Sequence, residues 1–244
     1  MTRHSVTRPV PGRRTFALAA VLLAAAGAAA QDVQILRFSS EARFGGKISY
    51  LESHESEYRN GRIARARTDY LSPDGKPVAY IESFFAESLT APRHVFEDYR
   101  SGVRHGVRYE NGDTILFSRD SGQPEKTRNI GKGSAGSILM VGCQGLFYYL
   151  QENYPLVREK RKIPLQLLIT GTLDIYDFEM ELKGEKDGVA EITIHISNWF
   201  LRLFAPKLDV RYDIDARRML YYKGLSNILD DKGKIQTVEI TYKY

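Results

Sequence analysis

From Lys47 onward, apolar and polar positions alternate with a period of two in short runs, and each run ends at a turn signal. The turns are Asn60-Gly61, Pro73-Asp74-Gly75, Ser101-Gly102, Asn111-Gly112, Lys186-Asp187-Gly188 and Asp231-Lys232-Gly233, where Asn and Gly supply the positive φ angles that tight hairpins require. The alternation is cleanest in the C-terminal half. Ile192, Ile194 and Ile196 oppose Glu191, Thr193, His195 and Ser197; Leu208, Val210, Tyr212 and Ile214 oppose Asp209, Arg211, Asp213 and Asp215; Val238, Ile240, Tyr242 and Tyr244 oppose Glu239, Thr241 and Lys243. Such strands have one wet and one dry face, so the pattern predicts an antiparallel sheet or barrel.

The N-terminal half is looser. Ile63 to Tyr70 alternates charged with small residues, which places Ala64, Ala66 and Thr68 on its inner face. A face of small side chains either takes a close-packed helix or leaves a groove. One segment departs from the two-residue period: residues 134–153 read as a helix, with Ser134 as N-cap and Pro155 just past the end. Ile138, Val141, Gly142, Gly145, Tyr149 and Glu152 fall near one face of it. Glycine costs about 1 kcal/mol inside a helix, so the pair Gly142 and Gly145 implies close approach to a sheet. A short apolar break at Trp199 to Ala205, before Pro206, is one helical turn or a strand bend.

The first thirty residues form a different kind of segment. Arg3, Arg8, Arg13 and Arg14 precede an apolar stretch from Phe16 to Ala26 and then Ala28-Ala29-Ala30, with no acidic residue; this is the order of a cleavable secretory signal. The expected mature chain is a single β-rich domain, 31–244, in the periplasm. The run Thr15 to Ala30 is sixteen residues, mostly alanine, against the roughly 20 strongly apolar residues of a membrane span, so no transmembrane segment is expected after cleavage. Arg13-Arg14-Thr15-Phe16 also has the form of a twin-arginine export signal.

Removing the leader's four arginines from 35 basic residues leaves 31 against 30 acidic. The mature chain is therefore nearly neutral and carries no compositional sign of nucleic-acid binding. Cys143 is the sole cysteine, which excludes an intrachain disulfide.

Candidate chemistry is sparse. Cys143 with His195 would be the pair of a cysteine hydrolase, but a cysteine in mid-helix between glycines reads as a buried structural residue. His54, His94, His105 and His195 occur singly, without the spacing that presents two imidazoles to one metal; His54 between Glu52 and Glu55 is the best fragment. Asp174, Asp177, Glu179 and Glu181 crowd one stretch, but the last three share one strand face, as a solvated stripe does. Arg158, Lys160, Arg161 and Lys162 read as an exposed basic loop. The aromatic clusters Phe147-Tyr148-Tyr149, Trp199-Phe200 with Phe204, and Tyr221-Tyr222 either fill a core or line an apolar ligand site. No catalytic residue, metal ligand or cofactor is assigned.

The helix at 134–153, the strand-like 162–169, Tyr212-Asp213-Ile214-Asp215, Arg217-Arg218-Met219-Leu220, Tyr222-Lys223-Gly224 with Ser226-Asn227, and the closing Val238-Glu239-Ile240-Thr241-Tyr242 resemble the exported DUF3108-like β domains. In outline these are similar to the lipoprotein-carrier half-barrels. The resemblance spans roughly 40–244 and implies a mainly β fold, a curved antiparallel sheet or half-barrel with one main helix in or across its concave face. It brings no catalytic residue. The function this suggests is a non-enzymatic envelope protein that holds an apolar or acyl moiety, with Ala64, Ala66, Tyr149, Trp199 and Phe204 as ligand-binding residues. A lipid or another envelope protein is the expected partner; a protein-interaction scaffold is the alternative, and a hydrolase whose site leaves no recognisable motif is the third reading.

Overall fold

The computed structural model describes Met1 and residues 32–132, 138–198, 200, 207–230 and 232–244. The leader, Ser134, Trp199 and Phe204 lie outside the described residues. Fifteen strands form one sheet: β1 (Val33–Phe44), β2 (Lys47–Arg59), β3 (Arg62–Leu71), β4 (Pro77–Phe84), β5 (Arg93–Asp98), β6 (Val103–Glu110), β7 (Asp113–Arg119), β8 (Lys126–Lys132), β9 (Leu139–Val141), β10 (Lys162–Ile169), β11 (Asp174–Lys186), β12 (Val189–Ile196), β13 (Leu208–Asp213), β14 (Arg218–Leu225) and β15 (Thr237–Lys243). Two meanders, β1 to β8 and β9 to β15, are joined where β1 pairs with β15, with Ala42 opposite Ile240. All neighbours are antiparallel except β9 and β10. The hairpins follow the local code: Asn60-Gly61, Asn111-Gly112 and Asp187-Gly188 each have two consecutive positive φ angles, as two-residue primed turns demand.

The sheet is not closed, since β8 and β9 end it without pairing. Side chains bridge the gap instead. Val107 of β6 and Leu116 of β7 share an apolar cluster with Met140 of β9 and Leu168 of β10. His105 Nδ1 lies 2.8 Å from Thr170 Oγ1, Ser118 donates to the Gly171 carbonyl at 3.1 Å, and Arg128 donates to the Leu173 carbonyl at 2.9 Å. Lys126, Arg128 and Lys132 are exposed along β8, a charged edge of the kind that discourages pairing with another chain.

One helix, α1 (Gly145–Lys160), crosses the concave face. It starts eleven residues after the expected position and ends seven residues later than expected. On one side Leu150, Tyr154 and Val157 pack with Leu165, Met180 and Ile192; on the other, Tyr148 packs with Ile63, Ala66 and Phe85. Pro155 does not end the helix. It kinks it, with Asn153 at φ −123°, and the carbonyl of Gln151, which a proline at 155 cannot bond, accepts from the Arg217 guanidinium at 2.9 Å. The helix stops instead at Arg161, in the left-handed region at φ 59°. The basic run is accordingly no loose loop: Arg158 and Lys160 belong to the last helical turn, Lys162 opens β10, and Arg158 binds Glu185 through two nitrogens.

The glycines also sit elsewhere than expected. Gly142 precedes the helix and donates to the Thr90 carbonyl at 2.7 Å, and Gly145 opens the helix against that same carbonyl. The close approach is thus to the β4–β5 connection rather than to the floor of the sheet. A Cβ on Gly145 would overlap Thr90 O, whereas one on Gly142 would meet Ala91 Cα and His94 Cε1 at an ordinary 3.6 Å. Gly145→Ala is predicted to cost about 1–3 kcal/mol as an overpacked contact, and Gly142→Ala to stay within about 0.5 kcal/mol of the parent, both measured by urea unfolding.

The gap between the sheet ends also makes the fold acid-sensitive. Burial holds the imidazoles of His94 and His105 down at about 4, the neighbouring His94 adding to the effect on His105. An unfolded histidine takes its proton near 6.5, so between those values the unfolded chain binds more protons. Stability is full above about pH 6.5 and falls as the pH drops towards 4. The expected slope approaches about 1.4 kcal/mol per pH unit for each histidine, and urea titrations of the parent and His105→Gln should show roughly half the slope in the variant.

Candidate functional site

Between the helix and the far end of the sheet lies a polar layer built by register. Ser40 on β1 stands opposite Glu52 on β2 and Tyr242 on β15, and Glu52 stands opposite Tyr70 on β3. One step along, Phe38 faces His54, which faces Thr68. All these side chains point inward. The turn before α1 adds Cys143 and Gln144, and the loop after β14 adds Asn227.

Hydrogen bonds connect the layer. Ser40 Oγ donates to Glu52 and lies 3.1 Å from His54 Nε2, which is itself 3.2 Å from Glu52 Oε2. His54 Nδ1 meets Thr68 Oγ1 at 2.8 Å, and Gln144 Nε2 donates to the same hydroxyl at 3.0 Å. Thr68 thus holds one ring nitrogen of His54, and the Glu52 carboxylate faces the other. Asn227 Nδ2 donates to Cys143 Sγ at 3.0 Å and to Tyr70 OH at 3.4 Å. Gln144 Oε1 is buried with no partner.

Ser40, His54 and Glu52 have the residue types of a nucleophilic relay but not its geometry. In a relay the carboxylate holds the imidazole nitrogen remote from the nucleophile. Here Ser40 and Glu52 converge on the same nitrogen, Thr68 occupies the other, and Ser40 is 2% exposed. What the trio does is hold a buried carboxylate in place.

At the layer Cys143 is exposed, and Tyr222 and Tyr242 are half-buried. Yet burial is the main cause that pushes all three titrating groups upward, the Cys143 thiol to about 11. The surface that these three side chains leave accessible makes this part of the polar layer a recess, the chamber. Aromatic rings form much of its wall: Phe38 lies 4.4 Å from the His54 ring, 6.2 Å from Phe147 and 6.3 Å from Tyr242. After burial, the negative charge of Glu52 raises Tyr50 and Tyr242 further, which puts the carboxylate at the centre of the group. Beyond it the chamber is closed by Tyr50, bonded to Ser226 at 2.8 Å, and by Ile228 in the apolar cluster with Val238 and Phe96.

The residues expected to bind a ligand are distributed differently. Ala66 faces inward but is covered by Tyr148 and Phe85. Ala64 is set apart from it by a bulge, for Glu57 pairs with Arg65 and Tyr58 with Ile63, so Ile63 rather than Ala64 joins the inner cluster. Tyr149 is 6% exposed and packs in the core. Trp199 and Phe204 lie outside the described residues. Cys143 is in the turn ahead of the helix, not in mid-helix, and faces the chamber, whereas His195 is on the outer face of β12. The chamber's centre had one local signal, His54 beside Glu52; Ser40, Thr68 and Asn227 had none.

The class defined by this architecture is a mainly β protein: among the described residues, one large, unclosed and largely antiparallel sheet with a single helix and a polar-aromatic layer beside it. Among the described residues no helix is long and apolar enough to cross a membrane. No family model and no curated protein matches the chain. Among solved structures it is similar to a crystal structure of a beta-barrel-like protein, of the domain of unknown function DUF1849, from Brucella abortus, with a TM-score of 0.47 and 9% identity over 87% of this chain and 94% of that one.

With its thiol held at about 11, Cys143 is predicted to react with maleimide at pH 8 on the order of a hundredfold more slowly than a free thiol, because only the thiolate attacks. Labelling followed by mass spectrometry, with and without urea, checks this; rapid labelling of the folded protein would contradict the assignment.

Proposed function

We propose that this is an exported binding protein of the cell envelope whose chamber takes a small amphipathic molecule. The observation that carries the reading is the accessible surface of Cys143, Tyr222 and Tyr242 in an otherwise buried polar layer, beside an unpartnered acceptor, Gln144 Oε1. Buried acceptors are nearly always satisfied, so a hydroxyl or amine of a ligand supplies what Gln144 lacks. The apolar part of that ligand, an acyl or aromatic portion, lies against Phe38, Phe147 and Tyr242. Binding sites of this kind are largely apolar, with a few convergent polar groups. The secretory leader supports the envelope location, and the DUF3108-like and lipoprotein-carrier resemblance agrees with an acyl cargo.

Native mass spectrometry of the mature protein purified from its own periplasm is expected to show a small molecule released on denaturation. Titration with a dansyl-labelled fatty acid should give saturable binding, and Cys143→Phe, which fills accessible space, is expected to weaken it at least about tenfold with little change in melting temperature. An empty native protein whose probe binding is unaffected by Cys143→Phe would refute the reading. Co-purification of an intact envelope protein in place of a small molecule would favour a scaffold.

A further inference from the structure

His195 plays no part in the chamber. It lies on the outward face of β12 directly opposite Glu179 of β11, with Glu181 two residues along on the same face. The residue is only 7% exposed, and its Nδ1 has no hydrogen-bond partner. Its Nε2 lies 3.6 Å from Glu181 Oε2 and 3.9 Å from Glu179 Oε1, beyond the 2.7–3.2 Å of an N–H···O bond. A buried imidazole that faces two carboxylates through long contacts on one nitrogen, weakly tied to Glu181, and has no partner on the other is an unusual arrangement for a side chain with such strong polar groups.

The spacing suits something placed between them. The three ligand atoms lie within 4.8 Å of one another. An ion bound at about 2.0–2.2 Å to nitrogen and oxygen holds neighbouring ligand atoms roughly 3.0–3.7 Å apart at angles of 90–120°. Rotamer adjustments of about an ångström in the two glutamates close the difference. The strands supply the rigidity, because register alone sets Glu179 against His195.

We propose that Glu179, Glu181 and His195 form a binding site for a divalent transition-metal ion, with zinc the best match. One imidazole and two carboxylates are a nitrogen–oxygen donor set that suits zinc and disfavours calcium or magnesium, which prefer oxygen alone. Both carboxylates keep part of their surface exposed, from which water completes the coordination. Two ammonium groups compete for the same oxygens: Lys162 Nζ lies 3.3 Å from Glu179 Oε1, and Lys183 Nζ lies 2.8 Å from Glu181 Oε2. Both lysines are about half exposed on flexible stems, so the ion displaces them, and they lower its affinity.

The competition gives the site a signature that nonspecific binding lacks. Isothermal titration of zinc chloride into the metal-free mature protein is expected to show one ion per chain. Glu181→Gln should weaken binding at least about tenfold, and Lys183→Met should strengthen it several-fold while leaving the buried histidine untouched. His195→Gln is expected to abolish binding; because that side chain is buried, its melting curve is recorded alongside, and the two surface variants carry the test if it fails to fold. No saturable zinc binding, or binding unchanged in both Glu181→Gln and Lys183→Met, would overturn the proposal.

Discussion

The inner face of fifteen strands is far wider than a sixteen-residue helix can cover, and the interior is arranged around that mismatch. Where α1 lies, the sheet's Leu, Ile and Met side chains meet Leu150, Tyr154 and Val157 in one dense cluster. Where it does not reach, large aromatic side chains of the sheet itself, Tyr50, Tyr70 and Phe96, pack together with Ile228. Between the two regions Tyr222 and Tyr242 pack against both clusters. Tyrosines suit such a boundary, because each offers a broad apolar body and a hydroxyl that still finds a partner.

The position of the helix depends on contacts at both of its ends. At the start, backbone lies on backbone, with Gly142 bonded to Thr90 and Gly145 pressed against the same carbonyl. In the last third, Pro155 removes a hydrogen bond, and Arg217, from the turn between β13 and β14, supplies a donor to the freed Gln151 carbonyl. The helix is therefore tied to the β4–β5 connection and to the β13–β14 turn, so both meanders hold it. The side chains that precede it, Cys143 and Gln144, are thereby fixed at the mouth of the polar layer.

A buried carboxylate needs compensation, since an isolated charge in a low-dielectric interior is costly. Glu52 receives it from Ser40 and His54, and His54 is in turn oriented by Thr68 and Gln144. The same sheet carries its other imidazole–carboxylate grouping on the opposite face and in the other meander, at His195 with Glu179 and Glu181. The two groupings are separated by the thickness of the sheet and use different strands.

What the sequence determined by itself was local. The two-residue period placed Ile192, Ile194, Val210, Tyr212, Val238 and Ile240 on the buried face, and the Asn-Gly and Asp-Gly pairs set the hairpins, because φ preference and side-chain alternation act over two to four residues. The helix was visible as a break in that period, but its ends were not. Pro155 is a stop signal by propensity, and only Arg217, 62 positions away, makes a kink tolerable instead. A single bulge moved Ala64 out of the face its alternation assigned to it. The chamber and the outer cluster were decided by tertiary structure alone: Asn227 meets Cys143 across 84 residues, Gln144 meets Thr68 across 76, and His195 meets Glu179 through register. Pairings of that range leave no periodic trace, since they depend on which strand becomes whose neighbour and not on the residues next to each other in the chain.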